Sequence, residues 1–212
     1  MIKLEDRIKE YDTILIGIGS EWKAEYHTDI IEVYNILFRE IKYKNFFIVT
    51  TVTDGKIFDS ELGQSEGFFA PVKQIVAPCG NENWQQCQRS CTKDIWEPGE
   101  VSDGICPYCG APLIGNTMEA PEYIQEGYLP QWNRYLQWLS ATVTYPVLML
   151  ELGVDFSTPT VIRFPFEKTL AFNQKAELIR VNERFPQVPA ENGGRGTGIG
   201  SNSVEFIRLM KG

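Results

Sequence analysis

Apolar and polar positions fall in blocks along this chain. Tyr11-Asp12-Thr13-Ile14-Leu15-Ile16-Gly17-Ile18-Gly19 is a short, β-branched run closed by glycine, the pattern of a buried strand entering a turn. From Asp29 to Lys42, residues Ile30, Tyr34, Leu37, Phe38 and Ile41 recur at helical spacing, which puts them on one helix face. Phe46 to Thr51 reads as a second buried strand, closed by Asp54-Gly55. A strand–helix–strand unit of this kind implies parallel pairing through a right-handed crossover. Gly67 to Val76 reads as strand-like. Pro130 to Thr142 predicts a helix with Trp132, Tyr135, Leu136 and Leu139 on one face, and Pro146 to Gly153 a third buried strand. Pro159 to Phe172 reads as partly helical, with Pro165 expected to interrupt it. Leu178 to Asn182 is a fourth strand, and Asn192 to Gly200 a flexible loop or a short edge strand. Ser201-Asn202-Ser203 offers N-caps for a last helix through Met210. No internal repeat interrupts this alternation, which predicts an α/β fold around a parallel sheet.

One window departs from the pattern. All five cysteines, at 79, 87, 91, 106 and 109, lie in a stretch rich in Gly, Pro, Asn and Gln. Such a composition builds little apolar core, so residues 79–110 are expected to form an insertion within a large domain of residues 1–78 and 111–212. Cys87-x3-Cys91 and Cys106-x2-Cys109 are two short-spaced pairs. Each pair brings two thiolates to one ion from a single turn, and two such turns make a closed, structural S4 zinc site. Gly110 supplies the turn after Cys106-Pro107-Tyr108-Cys109. Free buried cysteines, or a redox dithiol at Cys106 and Cys109, are the alternatives; the dithiol leaves the upstream pair unexplained. Cys79 stands apart, as a small buried hydrophobe or as a reactive thiol.

The 212 residues include 20 basic and 28 acidic side chains, a net charge of −8. No Lys/Arg cluster marks a nucleic-acid surface, and no apolar run approaches the ~20 residues of a membrane helix. The start, Met1 to Arg7, is charged and helical rather than a signal peptide. A soluble, cytoplasmic protein is expected, with no nucleic-acid or membrane partner.

Several segments resemble the sirtuin family. Asn45 to Gly55 is similar to the strand and turn that carry its Thr-Gln-Asn-Ile-Asp motif. Gln86 to Cys91 and Cys106 to Gly110 resemble its zinc ribbon. Glu151-Leu152-Gly153-Val154, Thr158-Pro159 and Ile162 to Glu167 look like the macrodomain-linked bacterial branch, and Asn182 falls where the family places an Asn near the adenosine ribose. The resemblance spans about Tyr11 to Arg184. It implies a Rossmann-like large domain with an inserted zinc ribbon. It also implies an ancestor that used NAD to remove acyl groups from lysine or to transfer ADP-ribose. The cofactor positions it implies are Gly17, Gly19, Asp54, Gly153 and Asn182, with Arg163 meeting a phosphate or pairing with a local carboxylate such as Glu167.

The departures fall on the chemistry. Gly17-Ile18-Gly19-Ser20 is followed at once by Glu21-Trp22-Lys23, so the family's cofactor loop and most of its helical module are missing. Trp22 takes the place of the third glycine of a dinucleotide fingerprint, and Glu21 puts a carboxylate where a pyrophosphate would sit. Val52 replaces the motif Asn. Cys79-Gly80 stands where the family has its catalytic His-Gly, while the sole histidine, His27, lies near the first long helix. A thiol is a poor neutral-pH base but a better nucleophile. These losses point to a sirtuin-like binding or regulatory module with zinc, its catalysis lost or strongly altered and its NAD binding in question. The alternative is a working NAD-dependent deacylase or protein ADP-ribosyltransferase, with Cys79 as the substituted catalytic group. Loss of the helical module is expected to open a cleft lined by Trp22, Tyr26, Phe68, Phe69 and Trp84, to be covered by a second copy or a protein partner unless these rings fill the local core.

Overall fold

The computed structural model describes residues 3–66, 73–190 and 193–210. The helix α1 (Leu4–Glu10) leads into β1 (Thr13–Ile18), α2 (Ile30–Ile41) and β2 (Asn45–Thr50). Two one-turn helices, α3 (Lys56–Asp59) and α4 (Glu61–Gln64), precede β3 (Ile75–Val76). The polar strands β4 (Gly80–Cys87) and β5 (Leu113–Thr117) come next. They are followed by α5 (Leu129–Thr142), β6 (Val147–Leu152), α6 (Arg163–Phe172), β7 (Ala176–Val181), β8 (Gly196–Ile199) and α7 (Ser203–Arg208).

Six strands form one sheet in the order β3-β2-β1-β6-β7-β8, every neighbouring pair parallel. Each residue of β1 and β6 is buried, as expected of a parallel sheet covered on both faces. The alternation of side chains splits the core in two. Ile14, Ile16 and Ile18 pack with α1, α2 and α7. Leu15, Phe47, Met149 and Leu178 face Tyr135 of α5 and Phe166 and Leu170 of α6. The expected α/β parallel sheet is therefore present, and the segment ending at Ile199 takes its edge-strand form. Gly67 to Val72, which include Phe68 and Phe69, lie outside the described residues, as does Asn192. No helix among the described residues is long and apolar enough to cross a membrane.

Pro165 does not interrupt the helix over Arg163–Phe172. It sits in the first turn, where backbone N–H groups have no intrahelical partner, so its missing donor removes nothing. Pro165→Ala is accordingly expected to shift stability by less than ~1 kcal/mol, against the ~3 kcal/mol typical of an interior proline. A urea midpoint compared with that of the unmodified chain checks this.

β4 and β5 pair antiparallel as a separate two-stranded sheet, with a register shift between Asn81 and Gln85. Gly80 has φ 95°, and a Cβ there would lie 2.1 Å from the Asn116 carbonyl oxygen, so the strand crossing requires glycine. The buried apolar cluster of this lobe consists of Cys87, Cys106 and Ala111, with Trp96 and Leu113 packed against it. Little else of an apolar kind holds it.

Candidate functional site

The chain order along the sheet reverses between β1 and β6. Open α/β sheets take ligands at such a switch point, outside the carboxyl ends of the strands. A crevice of about 700 Å³ lies there, walled by the segments after β1, β6 and β7 and by Asn202 before α7. Its volume suits a small-molecule ligand.

Gly17, Gly19 and Gly153, the glycines assigned to a cofactor from the sequence, are points of close packing at these strand ends. A Cβ on Gly17 would lie 2.3 Å from Ile162 Cγ2, and one on Gly19 2.4 Å from the Val154 Cα. Gly153 has φ 65°, and a Cβ there would lie 2.5 Å from the Glu21 Cβ. The chain after β1 turns into short 3-10 segments at Ser20–Trp22 and Ala24–Tyr26 rather than into a helix.

Glu21 lines the crevice. The Glu183 N–H donates to its Oε1 at 2.8 Å, and both the N–H and the hydroxyl of Ser203 donate to its Oε2 at 2.7 Å. Beside it Trp22 is fully buried, its ring 4.9 Å from that of Tyr34, and its Nε1 donates to Ser203 Oγ at 3.0 Å. The expected open face lined by Trp22 is thus corrected: the indole fills the core and stitches the first loop to α7. Tyr26 stays exposed, and Trp84 packs on Phe58 at 5.7 Å in a separate cleft of about 830 Å³ between the large sheet and the small lobe.

The other candidate residues are engaged locally. Asn182 donates to the Val154 carbonyl at 3.0 Å, and its Oδ1 accepts from the N–H groups of Arg184 and Phe185. It caps the turn after β7 at the crevice wall. Asp54 accepts from the N–H groups of Ala24 and Lys56 at 2.7 and 2.9 Å, tying the post-β1 segment to the turn at Gly55. His27 Nε2 lies 2.9 Å from the Glu21 carbonyl oxygen and also lines the crevice. Burial pushes the Asp155 carboxyl up, but the Ser157 N–H and the Ser20 hydroxyl outweigh it and hold the group below its ordinary value. Val52 is buried, with its N–H donated to Thr50 Oγ1.

Arg163 has a different carboxylate partner from the expected Glu167, and Arg180, which no local pattern marks, shares it. Arg180 makes a two-pronged pair with Glu151, Nε to Oε1 at 2.7 Å and Nη2 to Oε2 at 2.9 Å, and reaches Glu167 at 2.8 Å. Arg163 pairs with Glu151 at 3.3 Å rather than with Glu167, and donates to the carbonyls of Val154 and Phe185. Both guanidinium groups and Glu151 are buried. The network braces the two loops that wall the crevice, so Arg163 is a structural residue here and not a free phosphate ligand.

Cys79 is buried, which pushes its thiol up, against a hydrogen bond from Thr158. The remaining four cysteines converge. The sulfur atoms of Cys87, Cys91, Cys106 and Cys109 all lie within 4.8 Å of one another. A tetrahedral zinc with Zn–S bonds of ~2.3 Å sets its sulfurs nearly 4 Å apart, so the cluster fits such an ion. Ser90 at φ 48° and Gly110 at φ 70° turn the two knuckles, with Gly110 N–H donating to the Cys106 carbonyl at 2.9 Å. The Cys91 backbone N–H lowers the Cys87 thiol, while the neighbouring thiols raise that of Cys91.

No protein-family model matches the chain. A Staphylococcus aureus strain Mu50 protein named protein ADP-ribosyltransferase is 24% identical over 160 residues, which cover 70% of this chain and 50% of that protein. The chain thus spans about half the length of that relative. Three solved ADP-ribose complexes of Sir2 homologue point mutants superpose with TM-scores of 0.58, 0.56 and 0.57 at 10%, 12% and 14% identity. The first covers 98% of this chain and 96% of its own, and the other two cover both chains fully. The fold is Sir2-like: a Rossmann-like sheet with an inserted small lobe holding four cysteines.

Proposed function

We propose that this Sir2-fold chain is a zinc-stabilised binding module whose NAD-dependent chemistry is lost or strongly altered. The observation that carries this reading is the Glu21 carboxylate on the Glu183 and Ser203 donors. A dinucleotide needs amide and hydroxyl donors for its diphosphate at the end of the first strand. Here the segment after that strand presents a carboxylate of its own, held by amides from after β7 and from the start of α7. A phosphate brought within a few Å of it meets a repulsion of ~1 kcal/mol in bulk water and ~4 kcal/mol near a protein surface. The turn after β1 supplies no helix start in compensation. Val52 offers no amide to a ribose, and burial keeps the Cys79 thiol protonated. The partner in this reading is another protein or a second copy of the chain.

Calorimetric titration with NAD and with ADP-ribose is expected to give no saturation below ~1 mM, and no nicotinamide should be released from NAD in the presence of an acyl-lysine peptide. Micromolar binding of either compound, or nicotinamide release, overturns the reading. The second reading, a working protein ADP-ribosyltransferase or deacylase, draws on the name of the staphylococcal relative, on the likeness of Glu151 to Val154 to the macrodomain-linked branch, and on a crevice of ligand size. Nicotinamide release abolished by Cys79→Ala, with the fold intact, would assign Cys79 the nucleophile's role.

A further inference from the structure

The small lobe carries most of the chain's surplus charge. Residues 79–126, the lobe and the segment after it, hold eight acidic and two basic side chains, six of the eight net negative charges of the whole chain. No Lys or Arg occurs between Lys93 and Arg134. The lobe joins the large sheet at the carboxyl end of its strands, where the Glu82 N–H donates to the Thr53 carbonyl at 2.7 Å. β4 and β5 pair from Gly80 with Thr117 to Cys87 with Leu113, so the knuckles lie at the end away from that join. There Glu97, Glu100, Asp103, Ile105 and Tyr108 are all exposed.

The opposite, amino end of the sheet has the reverse character. Thr13 and Asn45, and Val147 and Ala176, stand side by side there at the starts of β1, β2, β6 and β7. The turns before β2, β6 and β7 contain Lys42-Tyr43-Lys44, Val143-Thr144-Tyr145 and Phe172-Asn173-Gln174-Lys175, with no carboxylate among them. Tyr43, Tyr145 and Phe172 are exposed. The Lys42 ammonium lies 5.0 Å from the centre of the Tyr43 ring, and that of Lys168 5.9 Å from the centre of the Phe172 ring. Two hydrogen bonds hold the last two turns together. Asn173 Nδ2 donates to the Tyr145 carbonyl at 2.9 Å, and Lys175 Nζ to the Thr144 carbonyl at 3.1 Å. Of the carboxylates in the adjoining segments, Glu10 and Glu177 pair with Arg7, which leaves Asp12 and Glu40 against Lys42, Lys44, Lys168 and Lys175.

We propose that the chain self-associates head to tail, with the lysine-rich aromatic end of one copy docked on the acidic loop 97–108 of the next. That the occupant is a protein rests on the binding-module reading, and that it is a second copy rests on one chain's supplying both complementary halves. Each surface combines exposed apolar side chains with one sign of charge, so the contact buries apolar area and brings unlike charges together. A dimer joined through two copies of the amino end would set lysine against lysine, and one joined through two lobes acid against acid, and like charges so placed cost affinity. The two surfaces differ and lie at opposite ends of the molecule. The contact is therefore heterologous, and it extends to rings or open chains instead of stopping at two copies.

Light scattering of the purified chain over a range of concentrations tests this. In 0.1 M salt the weight-average mass is expected to rise with concentration past that of a dimer. In 1 M salt it should return to that of a monomer, because the screening length falls from ~10 Å to ~3 Å. Reversing the charge of either end alone, by Lys42→Glu with Lys168→Glu or by Glu97→Lys with Asp103→Lys, should abolish the rise. An equimolar mixture of the two double variants should restore it, which also shows that both are folded. A monomeric mass at every concentration in 0.1 M salt, a closed dimer, association that survives reversal of the lobe, or a mixture that stays monomeric would each overturn the proposal. So would a chain that stays monomeric but sediments with phosphatidylserine vesicles. None of these outcomes involves NAD, so the NAD titration tests the binding-module reading separately.

Discussion

Glu151→Ala is expected to lower folding stability by about 3–5 kcal/mol, the usual result of removing one partner of a buried ion pair. The carboxylate is fully buried and faces two buried guanidinium groups. Burial pushes its carboxyl up, and the hydrogen bonds and charge of Arg180 pull it back. Without it, Arg180 keeps the partly exposed Glu167 carboxylate and a carbonyl, and Arg163 keeps carbonyl oxygens and the Phe156 ring but no carboxylate. Neither arginine loses its charge. Glu167→Gln should lower stability by less than ~1 kcal/mol, because solvent screens that pair. Urea denaturation of both variants measures the difference, and a Glu151→Ala loss below ~1 kcal/mol would show that the network does not hold the crevice loops.

Removal of metal is expected to have the other large effect. The lobe from β4 to β5 has a small apolar cluster, and structural zinc contributes ~10–16 kcal/mol of binding free energy in small domains. One zinc per chain is expected by elemental analysis. A chelator in reducing buffer should then open the region 80–117 to protease, while the far-ultraviolet dichroism of the six-stranded sheet persists. Cys106→Ser should purify with little or no metal. Protein with no zinc, or a Cys106→Ser variant with unchanged metal content, would sink the expectation.

Which features were legible in the sequence follows from the range of the interactions that make them. β1 and β2 are nearly continuous apolar runs, and β6 and β7 are apolar runs interrupted by Glu151 and by Glu177 and Arg180, while α2 carries its core face at helical spacing; local pattern suffices for these. β4, with Asn81, Glu82, Asn83, Gln85 and Gln86, has no such pattern, since this lobe has little apolar core to face. It was therefore read only as an insertion. α3 and α4 are single turns, too short for a period to show. Pro165 misled because its effect depends on whether the helix has begun, a boundary that pattern alone places loosely.

The site divides in the same way. The cysteine pairs announce themselves by spacing. The carboxylate of Glu21 was visible as an obstacle to phosphate, but its donors come from Glu183 and Ser203, far along the chain, and nothing near Glu21 signals them. The natural local partner for Arg163 was Glu167, one helical turn away; the structure gives it Glu151, from the strand before. The missing helical module suggested an open cleft at Trp22, and Ser203 was visible only as a cap. The observed cap is Asn202, whose side chain accepts from Val204 and Glu205, which leaves Ser203 to hold Glu21 and Trp22.

The reversal of strand order between β1 and β6 also governs how the chain is made. β1 pairs with β2 on one side as soon as residues 13 to 50 emerge, but its other edge awaits β6, where Ile14 meets Leu148. At ribosomal speeds of ~5–20 residues per second, that edge stays open for roughly 5–20 s. An unpaired apolar strand edge is a template for pairing with another chain. The polar lobe lies between the two strands in the sequence, so every residue it contains lengthens the interval. Until β6 arrives, α1 and α2 are the elements already made that pack on one face of the nascent half-sheet, while its β1 edge stays unpaired.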